Sequence, residues 1–149
     1  MSVPKYMAWD PTGNYLYVPN SGNGTVSSFT LGSNGALMQL TTTAVTGSTA
    51  PLYVAVSPNV SYLYVLDGAG PLYAFSLLSG TPTAMIPTGT APTGMAIDPT
   101  GSLIAVSNGA PDGEISLFTI GSTGVLSPQS PLLTTAGGQL QYVTFYNTF

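Results

Sequence analysis

The chain repeats one pattern three times, and this repetition narrows the folds open to it more than any other feature. Residues 6–13, 53–58 and 94–101 read YMAWDPTG, YVAVSP and GMAIDPTG, at offsets of 47 and 41 residues. The same offset aligns YLYV at 15–18 with the identical run at 62–65. A repeat of this length indicates that one supersecondary unit recurs and that neighbouring units stack to bury a shared core.

Strands rather than helices are predicted within each unit. The 18 Gly and 13 Pro residues interrupt the chain every few residues, and both disfavour helix interiors. The segments between them are rich in Val, Ile, Tyr, Phe and Thr, which fit the pleated surface of a sheet. The predicted strands lie near 4–9, 14–19, 24–31 and 37–45, near 52–57, 61–66, 71–77 and 82–88, and near 94–98, 102–107, 114–120 and 131–135.

Four strands in a repeat of this length are typical of one blade of a β-propeller. The sequence therefore predicts an all-β fold: a partial β-propeller of three four-stranded antiparallel blades plus one extra inner strand. The first strand of each unit is apolar and small, so it is expected to be buried on both faces, with Trp9 in the core. The single domain 1–149 is expected to divide into blade 1 at about 1–48, blade 2 at about 49–90, blade 3 at about 91–138 and the extra strand at about 139–149.

The composition excludes several function classes. Charged residues make up 4% of the chain, Lys5 is its one basic residue, and the net charge is −4. A surface that binds nucleic-acid phosphates or anionic lipid headgroups needs several cations, so neither partner is expected. Apolar runs such as residues 52–56 are far shorter than the ~20 residues of a membrane-spanning helix, so no membrane insertion is expected.

The chain has no Cys, which removes disulfides and thiolate metal sites, and no cofactor is expected. Its surface polarity must come from Ser, Thr, Asn, Gln and Gly rather than from charge. Such a surface is common in secreted β proteins and favours an extracellular, cell-surface or periplasmic location. The N-terminal residues do not have the pattern of a signal peptide.

Three amide or carboxylate residues form the main candidate ligand site. Asn20, Asp67 and Asn108 hold the same place in successive units, just after the second strand. Because blades surround an axis, equivalent positions form an arc on one face, where these side chains could bind sugar hydroxyls or a hard cation such as Ca²⁺. The alternative is structural, since Asn and Asp often begin turns by accepting hydrogen bonds from their own backbone.

Other residues have a structural interpretation beside a functional one. Asp10 and Asp98 precede Pro-Thr-Gly in equivalent places, which favours a turn role over paired acid–base catalysis. Asp112 and Glu114 share one loop and are weak candidates for half of a calcium site, or mark a hairpin turn. Packing between blades, rather than stacking on sugar rings, is expected for a set of tyrosines: Tyr15, Tyr17, Tyr53, Tyr62, Tyr64 and Tyr73.

The inner strand followed by Asp-Pro-Thr-Gly, the run YLYVPN at 15–20 and the run GTVSSF at 24–29 resemble the lactonase-type (6-phosphogluconolactonase-like) seven-bladed propellers and the related YVTN-repeat propellers. Units two and three repeat the scheme with variation. The resemblance implies a propeller fold and hydrolysis of a sugar lactone as a candidate activity. The sequence has no His for acid–base work and a single Lys to meet a phosphate group, so no catalytic residue is assigned.

Three blades leave apolar faces that need covering, so either copies of the chain assemble or it is part of a longer propeller. Two copies would supply six blades, and a strand at 141–147 with Tyr142, Val143, Phe145 and Tyr146 could complete a neighbour's blade. The favoured function is a non-catalytic binding or scaffold module that self-associates. The alternatives are a lactonase-type hydrolase, complete only as an oligomer or within a longer chain, and a lectin-like propeller that binds carbohydrate.

Overall fold

A computed structural model describes residues 3–45, 47–109, 113–129, 133–134, 138 and 140–145. The first four strands are β1 (Ala8–Trp9), β2 (Tyr15–Asn20), β3 (Thr25–Leu31) and β4 (Leu37–Ala44). The next four are β5 (Pro51–Val56), β6 (Tyr62–Asp67), β7 (Pro71–Ser76) and β8 (Pro82–Pro87). The last five are β9 (Pro92–Ile97), β10 (Leu103–Asn108), β11 (Glu114–Ile120), β12 (Leu126–Pro128) and β13 (Leu133–Thr134).

Consecutive strands pair antiparallel and form three sheets, which we call blades 1, 2 and 3. Blade 1 has the order β1-β2-β3-β4 and blade 2 the order β5-β6-β7-β8. Blade 3 has the order β9-β10-β11-β12, and β13 also pairs with β11. The prediction of an all-β fold built from three antiparallel sheets is confirmed. No helix in the described part of the chain is long and apolar enough to cross a membrane.

The hydrophobic core lies between the blades, and blade 2 takes part on both of its faces. Side chains alternate across each strand, so adjacent residues of β6 point to opposite neighbours. Leu63 and Val65 pack toward blade 1, whereas Tyr64 and Leu66 pack toward blade 3. Blade 1 contributes Tyr17, Val26 and Val45 to the first core, and blade 3 contributes Ile104, Val106, Phe118 and Leu126 to the second.

The first strand of blade 1 is shorter than predicted. Only Ala8–Trp9 pairs with β2, and the predicted strand near 4–9 is otherwise reduced to single bridges at Pro4 and Tyr6. Pro4 has no backbone N–H to donate to a ladder. The N–H of Tyr6 donates sideways to the carbonyl of Leu52 in blade 2 at 3.0 Å, so it links two blades rather than two strands of one blade.

The prediction that Trp9 lies in the core is wrong, because Trp9 is exposed. It stands opposite Leu16, on the face of blade 1 that points away from blade 2. The equivalent residue of blade 2 is Val56, which is buried because blade 1 covers it. The burial of this inner-strand position therefore depends on a neighbouring blade, whereas Leu16 and Val18 of β2, on the same side of blade 1, are buried.

The end of blade 3 also departs from the prediction. The outer strand expected near 131–135 is divided into β12 and β13, because the turn at Gly121 leads directly into β12 and Pro128 ends it. The extra inner strand expected near 139–149 is not formed by its described residues, 140–145. They pair with no second strand, and Tyr142 lies against Gly94 of β9, where an added Cβ would be 2.9 Å from the Tyr142 Cα.

Candidate functional site

The structure places the three residues of the predicted arc at equivalent positions, as the last residues of the second strands. Asn20 ends β2, Asp67 ends β6 and Asn108 ends β10. All three side chains are buried, with Asn108 fully inaccessible to solvent. Their polar atoms therefore contact other protein groups, and those contacts decide what the three residues can do.

The two asparagines hold the second strand of a blade to the third. The Nδ2 group of Asn20 donates to Ser27 Oγ at 3.0 Å and to Thr25 Oγ1 at 3.1 Å. The Nδ2 group of Asn108 donates to Ser116 Oγ at 2.9 Å, and Ser116 has the place in β11 that Ser27 has in β3. The repeated Asn–Ser pair is thus a bond inside the blade.

Asn108 carries a buried acceptor that has no partner. Among the described residues, its Oδ1 atom has no hydrogen-bond partner, which typically costs about 1–3 kcal/mol for a buried polar group. The amide group packs directly on Gly89, where an added Cβ would lie 2.5 Å from Asn108 Cγ and Nδ2. This crowding requires glycine at position 89, because any side chain there would meet the buried amide.

Asp67 joins β6 to the junction between blades 1 and 2. Its carboxylate accepts hydrogen bonds from Ser48 Oγ at 2.5 Å and from the N–H groups of Thr49, Ala50 and Ala69 at 3.0, 2.9 and 2.7 Å. Burial raises the pKa of Asp67, but these bonds outweigh it and hold the pKa below its ordinary value. A ligand at the arc would have to replace such internal bonds, so the ligand role of Asn20, Asp67 and Asn108 stays a prediction.

The two acids before Pro-Thr-Gly close the turns between first and second strands. The carboxylate of Asp98 accepts from the N–H groups of Ser102 at 2.7 Å and Leu103 at 2.6 Å. Asp10 accepts the equivalent bonds in blade 1, and the hydroxyl of Ser57 does so in blade 2. Burial raises the pKa of Asp98, yet the hydrogen bonds hold it below its ordinary value. The turn interpretation of both acids is supported.

The suggested calcium ligands are not brought together in the described residues. Asp112 lies outside them, and Glu114 begins β11 opposite Asn108 and Thr134. Within the described ranges, no group of three or more His, Cys, Asp or Glu side chains is placed to hold a metal ion. A metal role for Asp112 and Glu114 stays a prediction.

The tyrosines that were expected between blades are largely found there. Tyr17 and Tyr73 are buried in the core between blades 1 and 2, and Tyr64 is buried between blades 2 and 3. Burial, followed by the nearby Tyr62, raises the pKa of Tyr64 to about 12. Tyr15 departs from this pattern because its ring is exposed at the start of β2.

An aromatic cluster on the inner strands was not predicted. The rings of Tyr6 and Tyr53 stack with centroids 4.4 Å apart and planes 6° apart, and the Tyr53 hydroxyl donates to the carbonyl of Thr93. Together with Gly94 and Tyr142 they border a space of about 600 Å³, and none of its described lining residues is charged. The signal was present in the sequence, since Tyr6 and Tyr53 occupy the same place in successive repeats.

The sequence of blade 1 and of the two inner strands of blade 2 matches a known family. Residues 1–67 match the family model described as Lactonase, 7-bladed beta-propeller. The match ends at the last residue of β6. The resemblance carried by YLYVPN and GTVSSF is thus confirmed over less than half of the 149 residues. No curated protein matches the chain at a significant level.

Solved structures match nearly the whole chain in fold. A candidate 6-phosphogluconolactonase of Bacteroides fragilis is 23% identical, with a TM-score of 0.81 over 95% of this chain and 41% of that one. The periplasmic gluconolactonase of Pseudomonas aeruginosa is 22% identical, with a TM-score of 0.76 over 93% of this chain and 41% of that one. The hydrazine synthase of Kuenenia stuttgartiensis is 18% identical, with a TM-score of 0.77 over 93% of this chain and 38% of that one. The chain therefore has the fold of part of a propeller and spans about two fifths of these proteins' length, and such a fold occurs with different functions.

Replacing Asp98 tests its role as a turn cap, and blade 2 supplies the control, since Ser57 caps the equivalent turn there. We expect Asp98→Ala to lower the free energy of unfolding by about 1–3 kcal/mol, because two part-buried hydrogen bonds to a charged acceptor are lost. Asp98→Ser should retain most of the stability, because a hydroxyl can accept the same bonds. Denaturant unfolding at neutral pH measures both variants.

The same carboxylate gives the expected pH dependence. Because the folded pKa of Asp98 is lowered, its contribution is present above the ordinary pKa of 3.8 and is lost as the pH falls through the folded value. The difference in stability between the unmodified chain and Asp98→Ser should therefore shrink in acid. Equal losses from the Ser and Ala variants would contradict the capping role.

Proposed function

We propose that the chain is a non-catalytic propeller module that associates with other blades through the open face of blade 1. This face includes the exposed side chains of Trp9, Leu31 and Leu37, which the strand register places on the side of the sheet that points away from blade 2, and of Met7, which alternation from Ala8 places there. Leu16 and Val18 of β2 lie on the same side and are buried. The contacts of the module would be made between blade faces, as they are inside the chain.

The observation that carries the proposal is a comparison of equivalent positions in one molecule. Met7 and Trp9 are 57% and 45% exposed, whereas the equivalent Val54 and Val56 of blade 2 are 7% and 9% exposed. The strands have the same pattern, and the difference is that blade 1 covers the valines. Large exposed apolar side chains on one face are typical of an interaction surface. The exposed part of the open face is therefore the part that a neighbouring blade would cover.

A blade is the partner that best fits this face. Its four exposed side chains carry no charge, so neither electrostatic attraction nor charge repulsion selects the partner. Both cores inside the chain are formed by the same type of contact, in which one sheet face covers the next. A second copy of the chain offers such sheet faces, and two copies together would contain six blades. The rest of a longer propeller would offer the same contact.

Met7 provides the direct test of self-association. Met7→Gln should weaken association about tenfold, because burial of an apolar side chain at an interface contributes about 1–2 kcal/mol. Met85→Gln is the control, since Met85 is also exposed but lies on the outer strand β8. Light scattering on a sizing column across a wide concentration range measures the mass of each variant.

Two outcomes would contradict this proposal. The unmodified chain could remain a monomer at every concentration, which would mean that copies do not cover the open face. Alternatively, both methionine variants could weaken association equally, which would mean that general surface polarity rather than the open face determines the mass.

The proposal includes a role for the C-terminal segment around Tyr142, Val143, Phe145 and Tyr146. Tyr142 is exposed and lies beside β9, where a further inner strand would stand, but the described residues 140–145 have no strand partner. Pairing with a neighbour's blade would supply that partner. Deleting residues 139–149 should therefore lower the solution mass while the free energy of unfolding of the monomer changes little. An unchanged mass would rule out strand exchange.

The family match of residues 1–67 favours one alternative, a lactonase-type hydrolase that is complete only with further blades. Against it stand the absence of His and the single basic residue Lys5, which leave no evident general base and little to bind a phosphate group. Incubation of the assembled chain with gluconolactone separates the two functions. Hydrolysis above the uncatalysed rate would favour the hydrolase, and we expect none.

A further inference from the structure

Within the described part of the chain, the outer strand of blade 1 has a long free edge. β4 is the last strand in the order β1-β2-β3-β4 and pairs with β3 along all of its length, apart from a one-residue shift at Leu40. Its other edge points away from the sheet. The sequence of β4, LMQLTTTA, contains no charge, no proline and no glycine. Such an edge is a template for the addition of another strand.

The outer strands of the other two blades are protected, which gives an internal comparison. β8 begins at Pro82 and ends at Pro87, and β12 has three residues and ends at Pro128. Proline removes the N–H group that an added strand would need, and a short edge offers few bonds. The register shift at Leu40 does not account for the difference, because β8 has one as well. Among the described outer strands, β4 alone lacks these protective features.

The side chains of β4 also suit a partner strand. Leu37, Met38 and Leu40 are exposed, so pairing would remove apolar surface from water. The stretch 41–43 is three consecutive threonines, which have a high preference for strands. Opposed threonines in antiparallel strands can hydrogen-bond to each other. Both halves of β4 therefore favour an added strand of the same composition.

We propose that β4 pairs antiparallel with β4 of a second copy of this chain. Blade 1 of one copy and blade 1 of the other then form one continuous sheet across a twofold axis. Identical strands that carry no charge oppose no like charges when they pair, and their lengths match. The partner strand is the protein's own, so it is present at equal concentration. This contact forms along the backbone edge of β4, whereas the open face is a face of the same sheet and shares only Leu37 with β4, so the pairing does not depend on the proposed function.

Leu40→Lys tests the pairing, with Leu78→Lys as the matched control. Leu78 is also exposed, but it lies in the turn after β7 rather than on an edge. A lysine in both copies of β4 brings two like charges together, so we expect Leu40→Lys to weaken this dimer about tenfold or more. Leu78→Lys should have no effect. Met38→Lys is a second edge variant in case Leu40→Lys fails to fold.

Amide hydrogen exchange supplies a readout that the open face would not affect. In the unmodified chain, the β4 amides should become more protected as concentration rises, and this protection should disappear in Leu40→Lys but persist in Leu78→Lys and Met7→Gln. Exchange in β4 that is independent of concentration would overturn the proposal. Protection that appears only when a foreign protein is added, while the chain alone is a monomer, would overturn it in favour of another partner strand.

Discussion

The packing of one blade face against the next is the interaction on which the rest of this structure depends. Each sheet has two apolar faces, and the chain lacks disulfides that would hold the sheets together. Both faces of blade 2 are packed against another blade: Val54 and Val56 are covered on one face, and Tyr64 and Leu66 on the other. Blade 1 is covered on the face toward blade 2, whereas on its other face Leu16 and Val18 are buried but Met7 and Trp9 are exposed. The difference between these two blades accounts for the main exposed apolar surface.

The few ionisable and amide side chains serve this packing rather than an evident chemistry. Asp98 closes a turn, Asp67 holds the junction between two blades, and Asn20 and Asn108 tie second strands to third strands. Because buried polar groups must find hydrogen-bond partners, these residues are conditions for stacking the sheets. What remains at the surface is uncharged over the open face and along β4. These are the two surfaces through which we propose that the chain associates with other sheets.

Local sequence features predicted the strands, and the failures occur where structure depends on a neighbour. The strands of blade 2 lie close to their predicted limits, because alternation and turn residues such as Ser57 act within a few positions. Trp9 was expected in the core, since its strand resembles that of Val56, but only a preceding blade could cover it. The segment containing Tyr142 has the pattern of a strand and lacks a strand to pair with. In both cases the sequence predicts an apolar strand, but whether that strand is buried or paired depends on a neighbouring sheet.

The predicted arc shows a second limit of sequence reasoning. Alignment of the repeats correctly placed Asn20, Asp67 and Asn108 at equivalent positions. It could not show that Ser27 and Ser116 meet the two amides, because the partners lie on another strand and their contact depends on register. Equal spacing thus identified a shared structural role more readily than a ligand site. The stacked pair Tyr6 and Tyr53 was aligned in the same way, but its contact depends on the parallel bridge that joins the two residues across blades 1 and 2.

Fluorescence of Trp9 tests the central claim most directly, because it is the one tryptophan in the chain and lies on the open face. The emission maximum and its quenching by acrylamide should be followed as protein concentration rises. If a blade covers the open face, emission should shift to shorter wavelength and quenching should fall together with the increase in mass. Emission and quenching that stay those of an exposed tryptophan while the mass increases would contradict the claim that the chain associates through this face.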